Sequence, residues 1–411
     1  MKQTVLHSKW FAILCACFLS LAVSAQELGT LINEALENNP VIQKFELQYS
    51  VASEKVNEVN LVPNTEFSAG YFVSEPETRT GPQRFKISVR QMLPWFGTVT
   101  SRENYVSSLA DAKYEDIAIA KRTLIASVSK SYYRLYALRA KQIVVSQNIE
   151  LLETYRTMAL TSVETGASSA IDVLRLQMRQ NDLEQLRQIM DEQYIAEQST
   201  LNILLNRSKD IEVVVAEGMA IPEDELVANP DNLSVHPELI KYDRLYESIE
   251  QSELLNNRES APMIGFGMDY INVEKREGLD FKDNGKDVLM PMVSVSIPIF
   301  NKKYKSVTQQ NKWQQQKVRA EKQERLNDLE TLLDKAIRGR NIAKIRFGIQ
   351  SKNLKQARNA EDMLIKNYET GTIDFNDVLD IQELQLKFEM NQIEAIKTYF
   401  MESANNNYLI K

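Results

Sequence analysis

Two stretches almost free of helix breakers constrain this chain more than anything else. From about Thr100 to Glu164 there is no Pro and no Gly. From about Lys302 to Glu369 there is again no Pro, and the only glycines are Gly339 and Gly348. Uninterrupted helix over either stretch would run on the order of 100 Å at 1.5 Å per residue, far longer than a globular core needs. Leu124, Val128, Tyr132, Leu135, Leu138, Ile143, Ile149 and Leu152 recur at three- and four-residue steps, the spacing of a helix-packing seam. Lys, Arg, Glu and Gln fill the remaining positions, as a solvated face requires. Gly and Pro together number 24 of 411 residues, about half of average usage.

The same layout occurs twice. Glu164-Thr165-Gly166 matches Glu369-Thr370-Gly371, and Asp172-Val173-Leu174 matches Asp377-Val378-Leu379, both at an offset of 205. Asn39-Pro40 corresponds to His236-Pro237 at 197, Pro63 to Pro262 at 199, and Leu93-Pro94-Trp95-Phe96 to Ile297-Pro298-Ile299-Phe300 at 204. Five matches in order, at slowly growing offsets, indicate duplication with small loop insertions. The expected domains are residues 1–25, a first repeat over 26–235 and a second over 236–411. In the first repeat, strands are expected near 64–74 and 84–93, a long helix near 100–165, a return helix near 170–206 and a joint at 210–235. In the second, strands are expected near 262–273 and 288–299, a long helix near 302–370 and a return helix near 374–408.

The strand assignments rest on period-two alternation. Phe67, Ala69, Tyr71 and Val73 alternate with Glu66, Ser68 and Gly70, and Phe85, Ile87 and Val89 with Lys86, Ser88 and Arg90. Ile264, Phe266, Met268 and Tyr270 alternate with Gly265, Gly267 and Asp269, and Val293, Val295 and Ile297 with Ser294 and Ser296. Each run is about as long as a membrane-spanning strand.

The N-terminus has the pattern of a secretory leader. Lys2 and Lys9 precede an apolar run from Phe11 to Val23, and Val23-Ser24-Ala25 is a small-residue cleavage site before Gln26. Both cysteines, Cys15 and Cys17, fall within the leader. Losing Lys2 and Lys9 takes the net charge from −7 to −9, which gives no reason to bind nucleic acid. Two His, no mature Cys and no nucleophile or phosphate-loop motif argue against an enzyme, and no cofactor or metal site is expected. Met263, Met268, Met290 and Met292 read as apolar filler near the strands, and His236 as structural.

Four strands cannot close a barrel, and an open edge is not tolerated in lipid. Two chains would supply eight strands, whose interior is filled by side chains. Three chains would supply twelve, with room for a lumen. The rival reading is a soluble exported coiled-coil adaptor or scaffold without a pore.

Over its mature length the chain resembles the TolC-type outer membrane efflux proteins, in its layout, its repeat, Leu93-Pro94-Trp95-Phe96-Gly97 and Asp377-Val378-Leu379-Asp380. The resemblance implies a mainly α fold with a membrane β-barrel. Long helices would form a coiled-coil barrel in the periplasm, and four strands per chain would enter a homotrimeric twelve-stranded barrel in the outer membrane. It also implies an exit duct for efflux or type I secretion, with a periplasmic adaptor and an inner-membrane pump as partners. Asp377 and Asp380 match the acids lining the pore constriction. Tyr368 and Asp172 match gate contacts, although Ile373 stands where some members carry Arg. Thr165, Gly166, Thr370 and Gly371 would form the periplasmic turns that dock the adaptor.

Overall fold

The computed structural model describes residues 27–164, 169–223, 230–370, 372–373 and 375–410. Ala25, Gln26, Thr165, Gly166 and Gly371 lie outside the described residues. The elements in chain order are α1 (Glu27–Asn38), α2 (Pro40–Val59), β1 (Glu66–Tyr71), β2 (Glu77–Thr78), β3 (Gly81–Leu93), α3 (Thr98–Glu164) and α4 (Ala170–Leu204). A 3-10 turn (Pro230–Val235) precedes α5 (Pro237–Glu259), β4 (Met263–Val273), β5 (Val288–Ser296), α6 (Lys303–Glu369) and α7 (Phe375–Ile410). Both α3 and α6 have 67 residues. No described helix is long and apolar enough to cross a membrane.

The chain divides into two compact units. One comprises residues up to Gln43, Ile119–His236 and Leu326–Lys411; the other comprises Lys44–Ala118 and Pro237–Arg325. The second unit holds the sheet, in the order β1-β3-β4-β5, with β2 paired to the start of β3. Every pairing is antiparallel. The strands of the two repeats join through β3 and β4, with Val89 opposite Met268 and Ser88 opposite Asp269. Period two defines a strand's faces but not its neighbour, so this pairing is a tertiary choice.

β3 starts at Gly81, whose φ of +134° suits glycine. A Cβ built there would lie 2.1 Å from the Glu274 carbonyl oxygen, so the close approach also requires it. At the end of β3, Gly97 takes φ +79° and Thr98 N–H donates to the Trp95 carbonyl at 3.0 Å, turning the chain into α3. The Trp95 and Phe96 rings meet edge-on at 5.9 Å.

In the other unit the seam of α3 is buried at Leu124, Val128, Tyr132, Leu135 and Leu152. Ile143, expected on that seam, is 40% exposed, and Val145 is fully buried instead. Each residue turns a helix by about 100°, so positions two apart face nearly opposite ways. His236 is fully buried, with its Nε2 3.2 Å from the Tyr408 carbonyl oxygen and its ring against Tyr408.

Candidate functional site

The constriction and gate residues inferred from the sequence belong to the turn-proximal ends of α4, α6 and α7, which pack with that of α3. A shared apolar core holds these ends together. Val145, Leu152, Tyr155 and Ala159 of α3 meet Leu176 and Leu183 of α4 and Phe375, Val378 and Leu386 of α7, with Leu364, Ile365 and Tyr368 of α6 packed against them. Phe375 is 2% exposed and sits between two rings. Its centroid is 4.8 Å from that of Tyr368 and 5.6 Å from that of Tyr155, both edge-on.

Asp377 and Asp380 are exposed, while Val378 between them is fully buried. Helical spacing explains the contrast. Residues three apart share a face, and the face opposite Phe375 and Val378 is left to the two carboxylates. Asp377 also falls in the first turn of α7, where a negative charge complements the helix dipole. Thr370 and Thr372 hydroxyls both donate to the Asn367 carbonyl, at 2.9 and 2.8 Å, which closes the end of α6.

Asp172 occupies the first turn of α4, capped by Ser169, whose hydroxyl accepts from Ile171 N–H at 3.2 Å. Asp172 is 7% exposed and lies 4.0 Å from the Arg175 guanidinium. Arg175 also donates to the Asn376 amide oxygen, tying the start of α4 to that of α7. Tyr368 is half-buried, with its ring edge-on to that of Phe375.

Further from the turns, a polar network crosses the same core. Tyr155 hydroxyl donates to Glu361 Oε1 at 2.7 Å, and Gln385 Nε2 donates to Glu361 Oε2 at 2.7 Å. Burial, and then the Glu361 carboxylate, hold the Tyr155 hydroxyl well above its ordinary pKa. Gln382 Nε2 donates to Asn148 Oδ1 at 2.6 Å, with both side chains buried. Sequence reasoning missed this set, because a polar residue on a helical seam has the same local signature as one on a solvated face. The signal that could have found them is their phase: Asn148 and Gln382 fall on the apolar stripe.

The sheet has two chemically distinct faces. Lys86, Ser88, Arg90, Asp269 and Ser294 share one by register. Phe67, Ile87, Phe266, Met268, Leu289 and Val293 share the other. Asp269 is fully buried and ion-pairs with Lys86 across the β3–β4 join. The methionines divide between the faces: Met92, Met290 and Met292 lie with the polar set and Met268 with the apolar one. Among the described residues, the outer edges of β1 and β5 carry no strand partner.

Residues 31–207 match the family model described as outer membrane efflux protein. No curated protein is found to match. Solved structures match over nearly the whole chain. The structure of CusC, described in connection with transmembrane channel formation, aligns with a TM-score of 0.77 at 15% identity, covering 94% of this chain and 91% of CusC. The outer membrane protein VceC of Vibrio cholerae aligns at 0.74 and 15%, covering 93% and 95%. The open-state MtrE outer membrane channel of Neisseria gonorrhoeae aligns at 0.74 and 17%, covering 93% and 88%. The resemblance drawn from the sequence is thus borne out, since the chain joins an outer membrane efflux protein signature in its first half to the fold of the TolC-type outer-membrane channels over nearly its whole length.

Proposed function

We propose that three copies of this chain form an outer-membrane exit duct, whose helical part stands in the periplasm and receives cargo from an adaptor and an inner-membrane pump. The observation that carries this reading is the open four-stranded sheet with one polar and one apolar face. With all pairings antiparallel, β1 and β5 run in opposite directions. Copies can therefore join β1 to β5 in a ring and keep the antiparallel pattern throughout. Three copies supply twelve strands, with the apolar face toward lipid and the polar face toward a lumen. Closure satisfies the backbone groups that an open edge would strand in hydrocarbon. Phe67, Tyr71, Val293 and Val295 are each more than half exposed in the single chain, as side chains awaiting lipid would be. The family match and the channel fold support the same reading.

In the trimer, Asp377 and Asp380 would form two rings of three carboxylates at the periplasmic aperture, favouring cations. Tyr368 and Asp172 would contribute to closing it, and the turns around Thr165, Gly166, Thr370 and Gly371 would meet the adaptor. The duct performs no covalent chemistry and needs no cofactor; the pump supplies the energy.

Planar-bilayer recording of the detergent-extracted protein tests this, paired with chemical cross-linking of the intact membrane. The expected result is a trimeric species with a small, cation-selective conductance suppressed by divalent cations. Asp377→Ala with Asp380→Ala should reduce both selectivity and suppression. A protein that stays soluble without detergent and never conducts would refute the duct. Unchanged selectivity in the double variant would remove the aperture assignment alone.

A further inference from the structure

Each repeat leaves the sheet for its long helix through an apolar knuckle. Trp95-Phe96 follows β3, and Ile299-Phe300 follows β5 at the equivalent positions. Leu93 pairs with Ile264 and Ile264 with Val295, so both knuckles lie at the same end of the sheet. Phe300 is 97% exposed and Ile299 72%. Ile297, also exposed, extends the apolar alternation of Val293 and Val295 toward the knuckle. In the ring this is where the lipid-facing band meets the headgroups on the periplasmic side, the depth at which aromatic side chains favour a membrane interface.

The two knuckles differ in charge. The first continues with Thr98, Val99 and Ser101; the second has Lys302, Lys303 and Lys305 at those positions. Residues 302–320 hold six Lys and Arg and no acid, whereas the equivalent 98–116 hold two against four acids. Lys302, Lys303 and Lys305 are exposed, and among the described residues none has an ion-pair partner. Lys303 Nζ stands 5.6 Å from the Tyr304 ring centroid. Glu253 of α5 meets this segment further on, accepting from Thr308 and Asn311 at 2.7 and 2.8 Å. At the first knuckle Arg102 pairs with Glu259, and Arg258 lies beside Gly97. Lys303 and Lys305 fall in the first turn of α6, where a cation opposes the helix dipole. Folding gains nothing from placing them there, whereas an anion seated among them removes the conflict.

We infer that Ile299 and Phe300 together with Lys302, Lys303 and Lys305 bind an anionic phospholipid of the periplasmic leaflet, one site per chain. The inference rests on the ring reading above, which puts this end of the sheet in that leaflet. Ile299 and Phe300 enter the acyl boundary, and the lysines meet the phosphate of the headgroup. A zwitterionic headgroup carries its own ammonium beside the phosphate and is attracted far less. At roughly fivefold per lysine near an anionic surface, three lysines give a preference on the order of a hundredfold at low salt. The first knuckle, without these lysines, enters lipid with much weaker headgroup selection.

The test reconstitutes the full chain into phosphatidylcholine vesicles doped with brominated phosphatidylglycerol or brominated phosphatidylcholine, and reads tryptophan quenching. Trp10→Phe, Trp95→Phe and Trp313→Phe with Phe300→Trp leave one reporter, at the second knuckle. A companion protein with Trp10→Phe and Trp313→Phe keeps Trp95 alone. Brominated phosphatidylglycerol should quench the reporter at position 300 at a mole fraction on the order of a hundredfold lower than brominated phosphatidylcholine. Raising salt to about 0.5 M should shrink that advantage at least about tenfold. Lys302→Thr, Lys303→Val and Lys305→Ser, the residues of the first repeat, should abolish the preference and leave quenching by brominated phosphatidylcholine unchanged. Equal quenching by the two lipids at position 300, a preference indifferent to salt, or one retained in the triple variant overturns the inference. If the triple variant does not assemble, the salt series on the lysine-containing protein decides. Loss of its trimer together with equal quenching in the parent assigns the lysines to a seam between copies and also overturns the inference. Quenching of Trp95 without a preference at position 300 refutes this site alone, whereas no quenching at either position by either lipid counts against the membrane ring itself.

Discussion

Replacing Phe375 by Ala should loosen the helix ends that carry Asp377 and Asp380 while leaving the rest of the chain intact. Phe375 is 2% exposed and is the first residue of α7, so its ring anchors that helix to α3 and α6. Truncating a buried Phe to Ala costs about 3–5 kcal/mol in transfer and cavity terms. That range already includes the edge-on contacts with Tyr155 and Tyr368, each worth about 0.5–1.5 kcal/mol. Even the lower bound multiplies the locally open population by more than about a hundred, at tenfold per 1.4 kcal/mol. Hydrogen exchange of the assembled protein can read this directly. Amides of residues 375–390 should lose at least about 3 kcal/mol of protection, while those of β3 and β4 stay within about 0.5 kcal/mol. Phe375→Leu, which fills most of the volume, should cost less than about 1.5 kcal/mol. A loss below about 1 kcal/mol at residues 375–390 in the Ala variant would refute the claim that this ring holds the ends together.

Gln382→Leu should destabilise by about 1–3 kcal/mol because it strands the Asn148 side chain in the core, and adding Asn148→Leu should recover part of the loss in a double-mutant cycle. Tyr155 titrates higher in the folded state than unfolded, so its contribution is fully present below pH about 10 and is lost as pH rises from there toward the folded value. Denaturation of Tyr155→Phe across pH 9–12 should show a shallower alkaline decline than the parent. Gly81→Ala places a methyl group against the Glu274 carbonyl at a φ foreign to L-residues, and should reduce folded yield in detergent far more than Gly70→Ala, where an added Cβ meets nothing.

The long helices were legible because a breaker-free apolar stripe has few other solutions, and the strands because alternation with period two produces two unlike faces. Asp377 and Asp380 could be picked out as a pair sharing a helical face, and the structure leaves that face exposed. The anchor beneath them could not be picked out. Phe375 is one aromatic residue after a turn, and only the positions of Tyr155, 220 residues earlier in the chain, and Tyr368 make it a keystone. Ile143 was placed on the seam by its side chain's apolarity, whereas the helical phase gives that place to Val145.

Local chemistry alone therefore determines where this chain is helical, where it is extended, and that its extended segments carry a wet face and a greasy one. These properties depend on backbone propensity and on periodicities of 3.6 and 2, which are written within a few residues. Tertiary structure decides that β3 meets β4, that Lys86 neutralises Asp269 across that join, and that Asn148 finds Gln382. Those choices bring together residues roughly 180 to 230 positions apart. Which partner satisfies a buried polar group or an open strand edge depends on the energy of the whole packed arrangement, and no local window contains it.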